Sequence, residues 1–262
     1  MKKIFALIIV LTLLLSLPSC SFIDSMLNPK GDDDMNGDTP GPNVEDPADE
    51  MEDPIDEEPV DEEPVIELSD MTVEEMIEFF SFLSMPIDGA KVSSVNGQLP
   101  NAPRSYRNGV HEGLDFYNHD RGTPVLAAAP GKVIRADHDY IEMTHDQYEE
   151  VIATSMAEPI TPEELLDKLR GRQVWIEHEN GIITRYCHLD SIRENIQVND
   201  IIEAGTVIAG IGNSGTESGA VGKVLSPSDA PHLHFEIWLG GSFLGKDLDP
   251  DTVRRIYKEV LK

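Results

Sequence analysis

Three short stretches hold the residues with the chemistry. "SPSDAPHLHFEIWLGG", Ser226 to Gly241, sets His232 and His234 two apart in what otherwise reads as a buried β-strand. Side chains two apart in a strand share a face, so the two imidazoles lie on one surface while Leu233 and Phe235 turn to the other. Such a pair is a metal site, a catalytic pair, or simply exposed. In "YRNGVHEGLDFYNH", His111 and Asp115 are four apart with Gly113 between them, a spacing that lets a turn aim imidazole and carboxylate at one point. Nitrogen and oxygen donors of this kind suit Zn²⁺, and three protein ligands with an open position mark a catalytic rather than a structural zinc site. The third stretch is "RYCHLD". Alternation there predicts Tyr186 and His188 on one face and Cys187, a small core residue, on the other.

The elements that must position these residues are mostly strands. "GTPVLAAAPGKVIRA", "RQVWIEHENGIITRYCHL", "AGTVIAGIGNSG" and "PHLHFEIWLGGSFLG" are rich in Val, Ile and Ala and bounded by turn residues. Asn180-Gly181 and Gly240-Gly241 are hairpin turn pairs. Two helical passages interrupt them, His145 to Met156 and "TPEELLDKLRG", where Thr161 is the expected cap with Pro162 at the first helical position. A helix opens at "SDMTVEEMIEFFSFL", with Thr72 and Glu75 as a capping box. Another closes the chain at "DPDTVRRIYKEVL", with Val253, Ile256, Tyr257 and Val260 on one face. The expected fold is mainly β: an antiparallel sheet or sandwich with a helical insertion and flanking helices. "GIGNSG" matches a dinucleotide-binding spacing, but "TESGAVGKVLSPSDAP" after it is a poor helix, so its glycines read as turns.

"HEGLD", "YCHL" and "HLHF", in that order and separated by "GTPVLAAAPGKV" and "AGTVIAGIGNSG", resemble the lysostaphin-like (LytM-type) zinc metallopeptidases that cut peptidoglycan peptides. The resemblance covers roughly residues 86–250. It implies a duplicated-hybrid-motif fold with an open groove, zinc ligands at His111, Asp115 and His234, and non-ligand catalytic histidines at His188 and His232. It further implies that zinc polarises the scissile carbonyl while the two histidines handle the protons of water and leaving amine. Two departures stand out: an insertion at 137–172, and the lengthened loop before His232. Both are expected to rim the groove. The insertion, with Leu165, Leu166 and Leu169 available for packing, is expected to be an ordered subdomain forming one wall. Of the other histidines, His178 reads as a structural hydrogen-bonder, and His119, His138 and His145 as surface residues.

The N-terminus, "MKKIFALIIVLTLLLSLPSCS", is an export signal over residues 1–19, too short in its apolar run for a membrane span. Its "LPSC" resembles a bacterial lipobox, which implies that Cys20 is lipidated and anchors the chain to the outer face of the cytoplasmic membrane. Cys187 is then the one remaining thiol, so no internal disulfide can form. Residues 20–69 include a low-complexity acidic stretch with a tandem "DEEPV", and between Lys30 and Asp70 eighteen Asp and Glu face one Lys. Like-charge repulsion and proline keep such a segment extended, a tether spanning on the order of 40 Å as a coil and up to about 150 Å if polyproline-like. With a formal charge of -29 the chain is no partner for nucleic acid. The domain order is thus a signal peptide, the linker, a helix at 70–85, the peptidase domain at 86–250 and a C-terminal helix at 251–262. Two other classes of function stay open: a scaffold or activator of another cell-wall hydrolase, and a non-enzymatic wall-binding lipoprotein.

Overall fold

Ten strands and five α-helices are assigned in the computed structural model, which describes residues 66–227 and 230–262. The expected export signal, Cys20 and nearly all of the expected acidic linker lie outside the described residues. Among those residues, no helix is long and apolar enough to cross a membrane.

The larger sheet is antiparallel. Its strands run in the order β1 (Leu114–Phe116), β9 (Leu233–Leu239), β5 (Ile183–Cys187), β4 (Val174–Glu177), β3 (Gly131–Ala136) and β7 (Ile201–Ile202), with β10 (Ser242–Phe243) also on β9. A smaller sheet joins β2 (Pro124–Leu126), β8 (Val207–Ile211) and β6 (Leu189–Ile192). Both expected hairpin turns form with the residues that tolerate left-handed backbone. Asn180 and Gly181 have φ of 59° and 71° between β4 and β5, and Gly240 and Gly241 have 56° and 83° between β9 and β10.

One face of the large sheet is core: Val133, Val174, Ile176, Tyr186, Leu233, Phe235 and Ile237 are all fully buried. The opposite face carries a polar and aromatic set. Trp175 pairs across strands with both Arg135 and Arg185, and Arg185 with Glu236. Arg185 lies 3.9 Å from the ring centre of Trp175 and 4.3 Å from that of Trp238, and Arg135 covers Trp175 at 5.0 Å, so cation and indole alternate across the sheet. A register shift between Val133 and Arg135 turns Arg135 onto this face.

The flanking helices close the core. In α1 (Val73–Phe79) the Thr72 hydroxyl accepts from the Glu75 N–H and Glu75 accepts from the Thr72 N–H, the capping box expected there. The helix is shorter than its apolar pattern: Phe80 and Leu83 follow it in turns, yet both are buried against the domain. The closing helix α5 (Pro250–Val260), capped by Asp249, buries the four expected residues. Phe80 belongs to the same core as Val253 and Tyr257 and is fully buried. Phe80→Ala should lower stability by about 3–5 kcal/mol, read as an earlier denaturant midpoint at unchanged slope.

The insertion is ordered. Its helices α2 (His145–Ala157) and α3 (Glu163–Arg170) share a small core of Val151, Leu165 and Leu169. The cap expected at Thr161 is a correction: Pro162 takes the cap position, and Thr161 turns to the Asn108 carbonyl, which accepts both its N–H (2.6 Å) and its hydroxyl (2.9 Å). A long-range partner has claimed the side chain that the local pattern assigned to the helix. After "GIGNSG" a helix does follow, α4 (Glu217–Val221), but it has only five residues. Gly212 is there for contact: a Cβ on it would meet the Asp190 backbone nitrogen at 2.4 Å.

Candidate metal centre

The pairing of β1 with β9 sets Asp115 directly opposite His234, and opposed residues in an antiparallel pair share a face. His111 arrives from the loop before β1. Its backbone is held by two hydrogen bonds, His111 N–H to Ala102 O and Asn101 N–H to His111 O, both 2.9 Å. Gly113 makes the turn between the two possible: a Cβ there would lie 2.6 Å from the Phe235 carbonyl and 2.9 Å from the His234 ring. Three atoms converge as a result. His111 Nε2 is 2.8 Å from His234 Nδ1, and each lies 2.9 Å from Asp115 Oδ1.

The outer atoms of both rings are committed. His111 Nδ1–H donates to the Leu99 carbonyl at 3.0 Å, and His234 Nε2–H donates to Glu236 Oε1 at 2.8 Å. Once His234 gives up its second proton, as metal binding requires, each imidazole turns a lone pair inward, toward the other and toward a carboxylate. Such a set is complementary to a cation, and two nitrogens with one carboxylate oxygen fit Zn²⁺ with an open fourth position. Ligand atoms around a tetrahedral zinc lie about 3.3 Å apart, so the triangle needs to open by only a few tenths of an ångström. Proton affinities carry the same message. Burial drives His111 down to about 4, against the pull of Asp115. Burial also opposes charge on His234, yet its hydrogen bonds to Asp115 and Glu236 hold it up at about 9. The site calls for positive charge at its centre.

His232 and His188 stand beside this triangle. The backbone N–H of His232 donates to Gly212 O, and its Nδ1–H donates to the Ala230 carbonyl at 2.8 Å. Its Nε2 then lies 4.0 Å from Asp115 Oδ1 and accepts from the Tyr117 hydroxyl at 3.4 Å, the two rings stacked with centres 4.2 Å apart. The Nδ1–H of His188 donates to the Ser214 carbonyl at 2.8 Å, and its ring centre is 4.8 Å from that of His232. Burial lowers the proton affinity of both, with neighbouring imidazoles pushing His188 further and Asp115 opposing the shift at His232. Both are thus neutral at pH 7, each with Nε2 unprotonated.

The face expected for His188 is a correction, while Cys187 is buried on the side opposite Tyr186 as expected. Cys187 pairs with His234 across β5 and β9, so it lies under the His111–Asp115–His234 triangle, and Tyr186, opposite Phe235, lies in the core. Alternation fails one residue later because His188 has φ of 59°. This left-handed backbone, uncommon outside glycine, swings its ring back toward the site. Cys187, His234 and Glu236 also lie within metal-binding distance of one another. That second set is already neutralised: Arg170 and Arg185 sit on Glu236, holding it well below the usual carboxylate range although burial alone would raise it. Burial, with Glu236 beside it, pushes the Cys187 thiol well up.

A groove of about 1060 Å³ opens over the five residues. Tyr148, Leu166 and Leu169 from the insertion line one part of it, and Thr216, Leu225 and Pro227 from the long loop another, as expected for both segments. His178 is structural, bonded to the Pro130 carbonyl and the Thr184 hydroxyl, each at 2.8 Å. His138 is exposed and His145 half-exposed, while His119, half-buried, lines the groove. Three contributors escaped the sequence reading: Arg104, whose guanidinium donates to Asp115 Oδ2 at 3.3 Å, Tyr117, and Glu236. The last two were within reach, since each lies two residues beyond a candidate ligand and strand alternation puts it on the same face.

Residues 109–250 match the model of peptidase family M23. Over 161 residues the chain is 26% identical to the peptidoglycan DD-endopeptidase ShyC of Vibrio cholerae, covering 62% of this chain and 28% of that one. Over 137 residues it is 25% identical to an uncharacterized metalloprotease of Buchnera aphidicola, covering 52% and 25%. The chain thus spans about a quarter of the length of these curated relatives. Among solved structures, the catalytic domain of lysostaphin from Staphylococcus simulans aligns at 22% identity, over 59% of this chain and 82% of that one, with a TM-score of 0.35.

Proposed function

The chain belongs to peptidase family M23, and on that footing we propose that it is a zinc endopeptidase hydrolysing peptide bonds in peptidoglycan stem peptides or cross-bridges, held at the cell envelope by a lipid on Cys20. The observation that carries this reading is the convergence of His111 Nε2, Asp115 Oδ1 and His234 Nδ1 within 2.9 Å of one another, beside two neutral histidines and under an open groove. The peptidoglycan substrate is supported by the activity named for the Vibrio cholerae relative and by the export signal and lipobox of the sequence.

Zinc held by those three atoms supplies Lewis acidity toward the scissile carbonyl and toward water. The rest of the chemistry belongs to the protein. His232 Nε2 and His188 Nε2 bear lone pairs because each ring has spent its Nδ1–H on a backbone carbonyl. They accept the proton of the attacking water and return it to the departing amine. Stacking on Tyr117 keeps the His232 ring from turning away.

Mass spectrometry of the products from purified peptidoglycan and the zinc-loaded protein tests the proposal. Released peptides carrying one added water and a new amino terminus are expected. Zinc-loaded protein that releases none would favour a scaffold instead. Cys20→Ala should free the protein from membranes or block its processing without changing the bond that is cut.

A further inference from the structure

The insertion does more than wall the groove, for its last helical residue reaches the centre. Arg170, at the C-terminal end of α3, is only 4% exposed. Its Nε donates to Glu236 Oε1 at 2.6 Å, the same oxygen that accepts from His234 Nε2 at 2.8 Å. The Arg170 backbone carbonyl accepts the His188 N–H at 2.8 Å. One residue of the insertion thus touches the partner of a candidate ligand and the backbone of a candidate catalytic histidine.

Stability alone explains this placement poorly. Arg170 Nη2 is buried with no hydrogen-bond partner among the described residues, and a buried cation with an unmet donor is unfavourable against an apolar residue of the same size. Its effect on Glu236 is specific. The Arg170 Nε bond holds Oε1 at the point where that oxygen accepts the His234 Nε2–H. Anchored there, the His234 ring keeps Nδ1 turned toward His111 and Asp115. Arg185 lies farther away, at 3.4 Å from Oε2, and is occupied by the two indoles.

We propose that Arg170 is a positioning residue through which the insertion sets the zinc affinity of the site, acting by way of Glu236 on His234. This rests on the zinc-site reading above, and the two fail separately. Zinc affinity of the full chain, measured by competition with a chromophoric chelator, is the test. A wild-type chain that takes up no zinc defeats the underlying reading before any variant is made. Given a zinc-binding wild type, Arg170→Met should weaken affinity by about 10–100-fold, with Arg170→Lys recovering part of the loss. In a Glu236→Gln background the same Arg170→Met change should cost less than about threefold, because the carboxylate it acts through is gone. Unchanged affinity in Arg170→Met, or an equal loss in both backgrounds, would overturn the assignment. Should Arg170→Met fail to fold, Arg170→Lys carries the test. Weaker zinc binding at an unchanged melting temperature of the metal-free protein supports the role, and unchanged binding refutes it.

Discussion

His234→Ala should leave the protein without zinc and without peptidase activity. Only His111 and Asp115 of the converging triangle would remain, and two protein ligands do not make a zinc site of the kind that catalytic domains use. The damage runs further than one lost ligand. Asp115 is held ionised, against its burial, by His111 and His234 together, and removing one imidazole loosens the carboxylate that the other still needs. Zinc content should fall from about one per chain toward zero and turnover by several orders of magnitude. Metal analysis on dialysed protein, beside a peptidoglycan assay on the same sample, measures both. Zinc content equal to wild type would refute the ligand assignment.

His232→Ala, two residues away on the same strand face, should behave differently. Its Nε2 is 4.0 Å from Asp115 Oδ1, and its other nitrogen is spent on the Ala230 carbonyl, so the ring adds nothing to the triangle. Zinc should stay, while kcat falls by about 10²–10⁴-fold, the usual contribution of a general acid or base. The contrast between neighbours is the informative quantity. A His232 variant that loses zinc as fully as the His234 variant would mean that the two roles are exchanged.

Much of this site could be read from the chain because the signals are local. The period of two in "HLHFEIW" puts His232, His234 and Glu236 on one face, and the turn at Gly113 brings His111 to Asp115. The capping box of Thr72 and the two hairpin turns are likewise written within four residues. What escaped depends on partners far away in sequence. Thr161 abandons its helix for the Asn108 carbonyl, and nothing near Arg170 announces that it ends on Glu236, 66 residues later. The face of His188 was misread because the rule of alternation was carried through it, and its left-handed backbone breaks that rule. That break is itself part of the site, since a regular strand would have buried the His188 ring beside Tyr186.

The alternation of cations and indoles across the large sheet has an optical consequence. The chain has two tryptophans, and both belong to that row. The indole N–H of Trp238 donates to Glu236 Oε2 at 2.5 Å, and the other oxygen of Glu236 holds His234. All tryptophan emission of the protein therefore originates on the sheet face that carries the His111–Asp115–His234 triangle, one of its two emitters a single carboxylate from a candidate ligand. Charge arriving at or leaving His234 alters the field along that indole, so if zinc binds as proposed, intrinsic tryptophan fluorescence should change during a zinc titration without a dye.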